Sequence, residues 1–289
     1  VDAKQIDLAM LCKDTLYFIA RLKDIVAGRR VILRVDRIDP SKGILEGLRA
    51  MEALLEQDPA FKDNVVFLNL LQPKGKASPA AVILNEKIKQ QARIINAKYT
   101  PEALAQGFDG VIEDAASYDR FLNFNGQRSP PVILVQMAGS RRHEVLAAMA
   151  LMDVGIVNPV SDGMNLVAKE MALVNNPASL ERLNARRPEL GLKPGVVVAS
   201  KKMGSYAELK DGVIGIDDPS DPVETKDAIV KALSLTAQER GALARNIGPK
   251  MADSKSNQWM GAMIGDLEEL ENTLQRGLPW YYTMFYAAD

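Results

Sequence analysis

Charged side chains follow several of the apolar runs in this sequence, at positions where they could bind a ligand. The first group is Arg37 and Lys42, in the stretch VDRIDPSKG that follows RRVILRV. Two cations beside the start of a helix would form an anion site, because they add to the free backbone N–H groups of that helix. The alternative is a solvated loop with incidental charges, and this stretch alone does not decide between them.

The second group lies in SDGMNLVAKE, which follows the run VGIVNPV. Asp162 and Asn165 can accept hydrogen bonds from hydroxyls, and the first N–H groups of the helix predicted from Met164 onward have no partners within it. Glu170 lies about two turns along that helix, rotated by roughly 80° from Asp162. It could therefore reach only the far end of an extended ligand. Taken alone, Asp162 fits a helix N-cap and Glu170 fits a solvated acid.

The third group opens another predicted helix, in GSRRHEVLAAMALMDV. It contains Arg141, Arg142 and His143, the single histidine of the chain. One histidine with no cysteine or acidic cluster at metal-ligand spacing is poor evidence for zinc or for acid–base catalysis. The sequence contains no GxxxxGK[ST], GxGxxG or GxSxG motif, which argues against the common nucleotide kinases, dehydrogenases and hydrolases.

Short apolar, β-branched runs are the elements that must position these groups. They lie at 29–35, 64–71, 131–137, 154–160, 195–200 and 212–216. Most are continuously apolar, as in strands that are covered on both faces. Helical patterns lie between them, so the sequence predicts an α/β fold: a Rossmann-like parallel sheet with helices on both faces. Such sheets bind ligands at the carboxyl ends of their strands, where all three groups are expected.

Four segments lie outside this strand–helix alternation. They are a lead-in helix or linker, two loops or insertions, and a helical tail, at 1–28, 100–131, 175–194 and 256–289. Before the tail, Thr236 and Glu239 have the capping-box spacing that opens a helix.

Composition excludes several classes of protein. Lys plus Arg total 36 and Asp plus Glu total 37, giving a net charge of -1. No basic stripe with interleaved aromatic residues is present, so no nucleic-acid partner is predicted. No apolar run approaches the roughly 20 residues of a membrane span. The lone cysteine, Cys12, rules out an internal disulfide framework and favours a reducing compartment, and we expect a cytoplasmic protein in which Cys12 is a packing residue.

Two motifs resemble those of a known family. VDRIDPSKGI is similar to the signature VDRLDYSKGI, and MDVGIVNPVSDGMNLVAKE resembles ADVALVTPLRDGMNLVAKE, with DGMNLVAKE matching at every position. Both signatures belong to the trehalose-6-phosphate synthase family, which are retaining, nucleotide-sugar-dependent glycosyltransferases of the GT-B fold. The resemblance covers most of 29–265. It implies that this chain is the C-terminal half of such a fold.

The resemblance assigns roles by position. Arg37 and Lys42 would hold the donor diphosphate. Asp162 would bond the hydroxyls of the donor sugar, and Glu170 would take the ribose hydroxyls. Arg142 falls in the segment that holds the nucleoside base. The backbone at the start of the following helix would meet sugar and phosphate oxygens, through Gly163, Met164, Asn165, Leu166 and Val167. The spacing within SDGMNLVAKE therefore fits one extended ligand.

The sequence departs from the family on the acceptor side. The family's APSR, whose arginine meets the acceptor phosphate, is replaced by LQPKGK, where Lys74 or Lys76 could substitute as a point charge without the bidentate fork of arginine. The family's SEFAG reads SKKMG, with Lys201 and Lys202 in place of an acid and an aromatic residue. Its GWTPV segment has no counterpart in 100–131. The acceptor therefore need not be glucose 6-phosphate.

The resemblance implies a whole function of which this chain carries one part. Residues 1–289 are predicted to form a donor-binding Rossmann-like domain, while the acceptor half, with its active-site histidine, is missing, so the catalytic residues stay unknown. Because the chain starts with Val, we expect a fragment or a processed subunit that is inactive alone and needs the missing half or a partner chain. A homo-oligomer is possible.

The predicted reaction transfers glucose from a nucleotide donor such as UDP-glucose to a sugar phosphate or polyol. It requires no metal or other cofactor, because cations and a helix N-terminus can stabilise the departing diphosphate. Two alternatives stay open. One is a non-catalytic or regulatory subunit of a trehalose-synthesis complex, and the other is a pseudo-glycosyltransferase.

Overall fold

A sheet of parallel strands is the centre of the protein, whose computed structural model describes residues 2–58, 61–73, 78–123, 129–136, 141–253 and 256–275. The strands are β1 Arg30–Arg37, β2 Val65–Gln72, β3 Val111–Ile112, β4 Val132–Val135, β5 Val154–Val157, β6 Val196–Ser200 and β7 Val213–Ile216. Their order in the sheet is β3-β4-β2-β1-β5-β6-β7, and every pairing is parallel. The predicted fold class is confirmed.

The centre of the sheet is where the chain reverses its direction of strand addition. β1 pairs with β2 along its whole length, from Arg30↔Val65 to Arg37↔Gln72. It pairs with β5 only at Ile32↔Val154 and Leu33↔Gly155. Beyond Leu33, β1 and β5 are no longer paired and the connections leave in opposite directions. Open α/β sheets bind ligands in the crevice at such a point.

Helices cover both faces of the sheet. In chain order they are α1 Ala3–Met10, α2 Lys13–Val26, α3 Ile44–Gln57, α4 Phe61–Asn64, α5 Pro79–Tyr99, α6 Pro101–Ala105, α7 Ala115–Leu122, α8 Arg142–Leu151, α9 Leu166–Val174, α10 Pro177–Arg186, α11 Tyr206–Leu209, α12 Pro222–Ser234, α13 Ala237–Asp253 and α14 Ser256–Gln275. Apolar side chains of α3, α5 and α12 form one core against the sheet. Those of α1, α2, α8 and α9 contribute to a second core. Each strand is buried between two layers, as its continuous apolar sequence predicts.

Two segments predicted to be loops or insertions contain regular structure, so the prediction of loops is wrong for both. The first, 100–131, holds α6, β3 and α7. β3 is only two residues long and lies between Gly110 and Glu113, so the sequence has no apolar run there to detect. The second, 175–194, holds α10 and the 3₁₀ turn Pro188–Leu190. Its start has a capping signal, because the Asn176 side chain accepts from the N–H of Ala178 and a proline occupies the first turn.

The ends of the chain are helical where the structure describes them. Within 1–28, α1 and α2 pack on the domain through buried side chains such as Ile6 and Ile19. The Thr236–Glu239 capping box is confirmed, since each backbone N–H is bonded by the other side chain, at 2.8 and 3.2 Å. The aromatic segment after Gln275 lies outside the described residues. None of the helices in the described ranges is both long enough and apolar enough to cross a bilayer.

Candidate functional site

A cavity of about 830 Å³ opens at the carboxyl edge of the sheet, where β1 and β5 diverge. It is lined by residues from all three groups that the sequence singles out: Arg37, Lys42, Arg141, Arg142, Asp162, Asn165, Leu166, Val167 and Glu170. Gly163 and Met164 are not among its lining residues. Lys74 and Lys76 lie outside the described residues. The structure therefore brings the predicted groups together around one space.

The turn after β1 places Lys42 in this cavity. The Asp39 side chain accepts a hydrogen bond from the N–H of Ser41 at 3.0 Å and so begins the 3₁₀ turn Pro40–Lys42. Gly43 ends the turn with φ of 63°, a left-handed conformation that favours glycine. A Cβ at Gly43 would also clash with the backbone of Asn158 on the β5 side. Glycine is required here on both counts.

Arg34 is a buried cation beneath this turn, and sequence analysis missed it. Its side chain has no exposed surface. Its guanidinium donates to the carbonyl of Lys42 at 3.0 Å, to that of Gly43 at 3.4 Å and to the side chain of Asn158. These hydrogen bonds thus fix the turn from its buried side and connect it to Asn158, just after β5. The signal is an arginine inside an otherwise apolar strand, RRVILRV, which is rare unless the charge is paired.

Charges of alternating sign form a row along the cavity. Arg34 donates to Asp36 at 2.9 Å, Lys42 lies 3.9 Å from Asp36 and pairs closely with Asp162, and Asn165 donates to Asp162 at 2.7 Å. An anion that binds Lys42 must therefore compete with two carboxylates.

Burial raises the pKa of Asp36 to about 6, against the attraction of Arg34 and Lys42, with Asp162 adding repulsion. The same burial lowers the pKa of Arg34. Desolvation destabilises the charged carboxylate more than the attraction of Arg34 and Lys42 stabilises it. A fraction of Asp36 is thus protonated near neutral pH.

This shift predicts how stability depends on pH. The folded chain keeps a proton on Asp36 that the unfolded chain has lost between its ordinary pKa of 3.8 and about 6. The contribution of Asp36 to stability is therefore present below this window and is lost as pH rises through it. We expect the stability of the wild type relative to Asp36→Asn to fall by on the order of 2 kcal/mol between pH 3.5 and pH 7. Urea unfolding at both pH values measures this difference, and parallel pH profiles for the two chains would contradict it.

The start of α9 differs from its predicted form. Asn165 is the N-cap, with φ of 38°, and its side chain accepts from the N–H of Ala168 at 3.1 Å. The helix begins at Leu166 and not at Met164, and the alternative role of Asp162 as N-cap is wrong, since Lys42 and Asn165 engage its carboxylate. A short amide tolerates the left-handed conformation and caps in its place. Glu170 consequently lies about one turn after the start of α9, and it lines the same cavity as Asp162.

The loop after β6 supports the Asp162–Gly163 turn from the other side. The N–H of Gly204 donates to the carbonyls of Gly163 at 2.6 Å and Asp162 at 3.2 Å, and a Cβ at Gly204 would clash with the first of these. The lysines that depart from the family pattern do not line the cavity. Lys201 pairs with Asp217 at 2.9 Å, and Lys202 lies 3.9 Å from Asp218.

The start of α8 forms the remaining wall. Arg142 lies 3.4 Å from Glu170, which joins the second and third groups. Arg141 pairs with Glu144, and its guanidinium lies 3.9 Å from the ring centre of Tyr118. Burial raises the pKa of Glu144. His143 does not line the cavity.

The sheet order and the charged crevice at its reversal point define a Rossmann-like α/β domain with a ligand crevice, of the kind found in the GT-B fold. The family model described as "Glycosyltransferase family 20" matches residues 1–106 and 109–269 of this chain. The chain belongs to glycosyltransferase family 20.

Curated relatives of this chain are trehalose-6-phosphate synthases. That of Mycobacterium leprae is 28% identical over 273 residues, which cover 93% of this chain and 46% of the relative. The α,α-trehalose-phosphate synthase [UDP-forming] 1 of Arabidopsis thaliana is 25% identical over 271 residues, 93% of this chain and 24% of the relative. The chain thus spans less than half the length of these two proteins.

Solved structures share the fold. An α,α-trehalose-phosphate synthase (UDP-forming) from Burkholderia xenovorans, in complex with glucose-6-phosphate, superposes with a TM-score of 0.72 at 24% identity, covering 93% of this chain and 50% of that one. The Escherichia coli protein bound with UDP-2-fluoro glucose gives 0.72 at 24% identity, covering 92% and 50%. At this identity the likeness shows the fold alone.

Proposed function

We propose that this chain is the donor-binding half of a retaining glycosyltransferase that transfers glucose from UDP-glucose to a sugar phosphate or polyol. The observation that carries the proposal is the cavity in which Arg37 and Lys42 face the start of α9 across the sheet reversal. Two cations and the free N–H groups of a helix suit a diphosphate. The relatives described with UDP-2-fluoro glucose and glucose-6-phosphate support this choice of donor and acceptor class.

The donor would lie along the cavity from Asp162 to Glu170. The sugar hydroxyls bond Asp162, and the diphosphate lies between Lys42, Arg37 and the N–H groups that begin α9. Leu166 and Val167 carry the first of these N–H groups, whereas Gly163 and Met164 belong to the preceding loop. The ribose bonds Glu170. Arg142, which is 3.4 Å from Glu170, is then next to the base.

Lys42 would exchange partners when the donor binds. Its ammonium leaves Asp162 for the diphosphate, and the released carboxylate accepts from the sugar hydroxyls. During transfer, negative charge accumulates on the departing diphosphate, where Lys42, Arg37 and the N-terminus of α9 stabilise it. Holding both reactants in one closed site is a large part of catalysis. We therefore propose that the acceptor side comes from the other half of the enzyme or from a partner chain.

Calorimetric titration of the purified chain with UDP-, GDP- and ADP-glucose tests the proposal. We expect saturable binding that is tightest for UDP-glucose. Absence of binding to all three nucleotide sugars would reject the donor site. A non-catalytic subunit would also bind the donor, but it would show no turnover when supplied with an acceptor half, and this distinguishes that alternative.

We expect no transferase activity from the 289-residue chain on its own. The reason is that holding both reactants in one closed site is a large part of catalysis, and the chain spans about half the length of its relatives. The measurement is release of UDP from UDP-glucose with glucose 6-phosphate or a polyol present. Sustained turnover by this chain would show that the acceptor site is complete within it.

Two acids that line the cavity should respond differently to truncation. Glu170→Ala is expected to weaken the binding of UDP and of UDP-glucose by the same factor, because both ligands carry the ribose. Asp162→Ala is expected to weaken UDP-glucose while not weakening UDP, since UDP lacks the sugar and Lys42 loses a competing carboxylate. Calorimetry with both ligands measures the contrast. Glu181→Ala, an exposed acid on α10, is the control. If Glu170→Ala changes neither affinity, Glu170 is a solvated acid.

A further inference from the structure

Three side chains with metal-binding chemistry meet where α2 and α8 begin. The ligand atoms of Cys12, Asp14 and His143 lie within 4.8 Å of one another, a proximity that no other trio of these residue types shows among the described residues. Cys12 is the N-cap of α2, and Asp14 lies in its first turn. His143 is in the first turn of α8, which packs against α2. None of the three lines the donor cavity.

The hydrogen bonds of His143 determine which ring nitrogen carries the proton. The hydroxyl of Thr15 donates to the carbonyl of Ala9 at 2.6 Å, which uses its one proton. The same oxygen lies 2.9 Å from Nδ1 of His143 and must act as the acceptor there. Nδ1 therefore carries the proton, and Nε2 keeps a lone pair. A histidine that donates one ring N–H to an oriented oxygen is the usual arrangement around a bound metal.

We infer that Cys12, Asp14 and His143 form a binding site for a zinc ion. Thiolate, imidazole and carboxylate are its ligands in proteins, at about 2.3, 2.0–2.1 and 2.0–2.2 Å. Tetrahedral geometry with those bond lengths places ligand atoms roughly 3.5 Å apart, which rotation of these partly exposed side chains can reach. Thiolate and imidazole together favour zinc over magnesium or calcium. Three protein ligands leave the fourth position to water.

The charges at this site balance when zinc binds. Cys12 releases its thiol proton to solvent, and His143 binds as the neutral imidazole. One thiolate and one carboxylate then neutralise Zn²⁺. This removes the repulsion that a cation would otherwise meet at the N-terminus of α2, while that N-terminus favours the thiolate. Bound zinc would join α2 to α8 and so fix the first helices on the domain. The inference does not depend on the proposed function.

The test is titration of the metal-free, untagged chain with zinc by calorimetry and with Co²⁺ by absorption. We expect one equivalent of metal and a sulfur-to-cobalt charge-transfer band. Cys12→Ser should abolish the band, and Asp14→Asn and His143→Gln should weaken zinc binding. Thr15→Val should lower the affinity for zinc roughly 10- to 100-fold, because it removes the hydrogen bond that fixes the orientation of the His143 ring. Asp24→Asn, an exposed acid on the same helix, should change nothing, and excess Mg²⁺ should not compete.

The single histidine gives a readout that needs no variant. Its ring ¹⁵N signals should show a proton on Nδ1 and a zinc-induced shift at Nε2. Lack of saturable zinc binding, histidine signals that do not move at saturating zinc, or full affinity retained in any of the three ligand variants would each overturn the inference. UDP binding is measured in parallel and should not change with zinc, so a failed donor site and a failed zinc site are told apart.

Discussion

Arg34→Met should lower the free energy of unfolding by about 3–5 kcal/mol, the usual cost of removing one partner from a buried ion pair. The variant leaves Asp36 buried without its guanidinium, and it removes one hydrogen-bond donor from each of the carbonyls of Lys42 and Gly43. Because Asp36 can then take up a proton, the loss should be smaller at pH 5 than at pH 8. Urea unfolding at the two pH values measures this.

Two further variants make the Arg34 result specific. The double variant Arg34→Met/Asp36→Asn removes the unpaired charge and should recover part of the loss, so a double-mutant cycle gives the coupling between the two side chains. Arg49→Met, on the exposed side of α3, should stay within about 0.5 kcal/mol of the wild type. A loss below about 1 kcal/mol for Arg34→Met would show that the buried pair contributes little.

Lys42→Ala should weaken the binding of UDP and UDP-glucose roughly tenfold to a hundredfold, since a hydrogen bond to a charged group contributes about 1.5–3 kcal/mol. Arg37→Ala should act in the same direction, with a smaller effect. Lys42 also screens Asp36 and Asp162 from the diphosphate, whereas Arg37 is exposed at the end of β1 and pairs with neither acid in the described contacts. Calorimetry with both ligands ranks the two variants.

A cation outside the cavity serves as the control for Lys42. Lys201→Ala removes a charge that pairs with Asp217 and should leave nucleotide affinity unchanged. If Lys42→Ala lowers the thermal midpoint and leaves UDP affinity unchanged, Lys42 is part of the turn and not of the anion site. Equal losses for UDP and for uridine would also contradict a diphosphate contact, because uridine has no phosphate.

The sequence predicts the sheet well because strands that are buried on both faces consist of unbroken runs of apolar residues. Six strands and the strand–helix alternation follow from that rule. The rule does not predict β3, because a two-residue edge strand is too short to show a sequence pattern. The helical pattern does not reveal α10, because its polar residues are more numerous than its buried leucines. Only Asn176 and the following proline mark its start.

The proposed donor site can be predicted from the sequence where one short stretch carries several polar residues. It cannot be predicted where the interacting residues come from distant parts of the chain. Arg37, Lys42, Asp162 and Glu170 stand out because they follow strands. Arg34 and Asn158 do not, since their pairing depends on β1 and β5 lying side by side. The sequence mispredicts the start of α9, because the local pattern cannot show that Lys42 engages Asp162 and that Asn165 is therefore the N-cap. Cys12 and His143 meet only through the packing of α2 on α8.

The charges that line the cavity also affect how an anionic ligand approaches the protein. The described lining of the cavity carries four basic side chains, Arg37, Lys42, Arg141 and Arg142, and four acidic ones, Asp36, Glu144, Asp162 and Glu170. Seen from beyond a Debye length of about 8 Å, these charges cancel. The site therefore exerts little electrostatic steering on an anionic ligand, and its association rate should vary only weakly with ionic strength. In the proposed function, recognition would begin at contact distance, when a diphosphate displaces a carboxylate from Lys42.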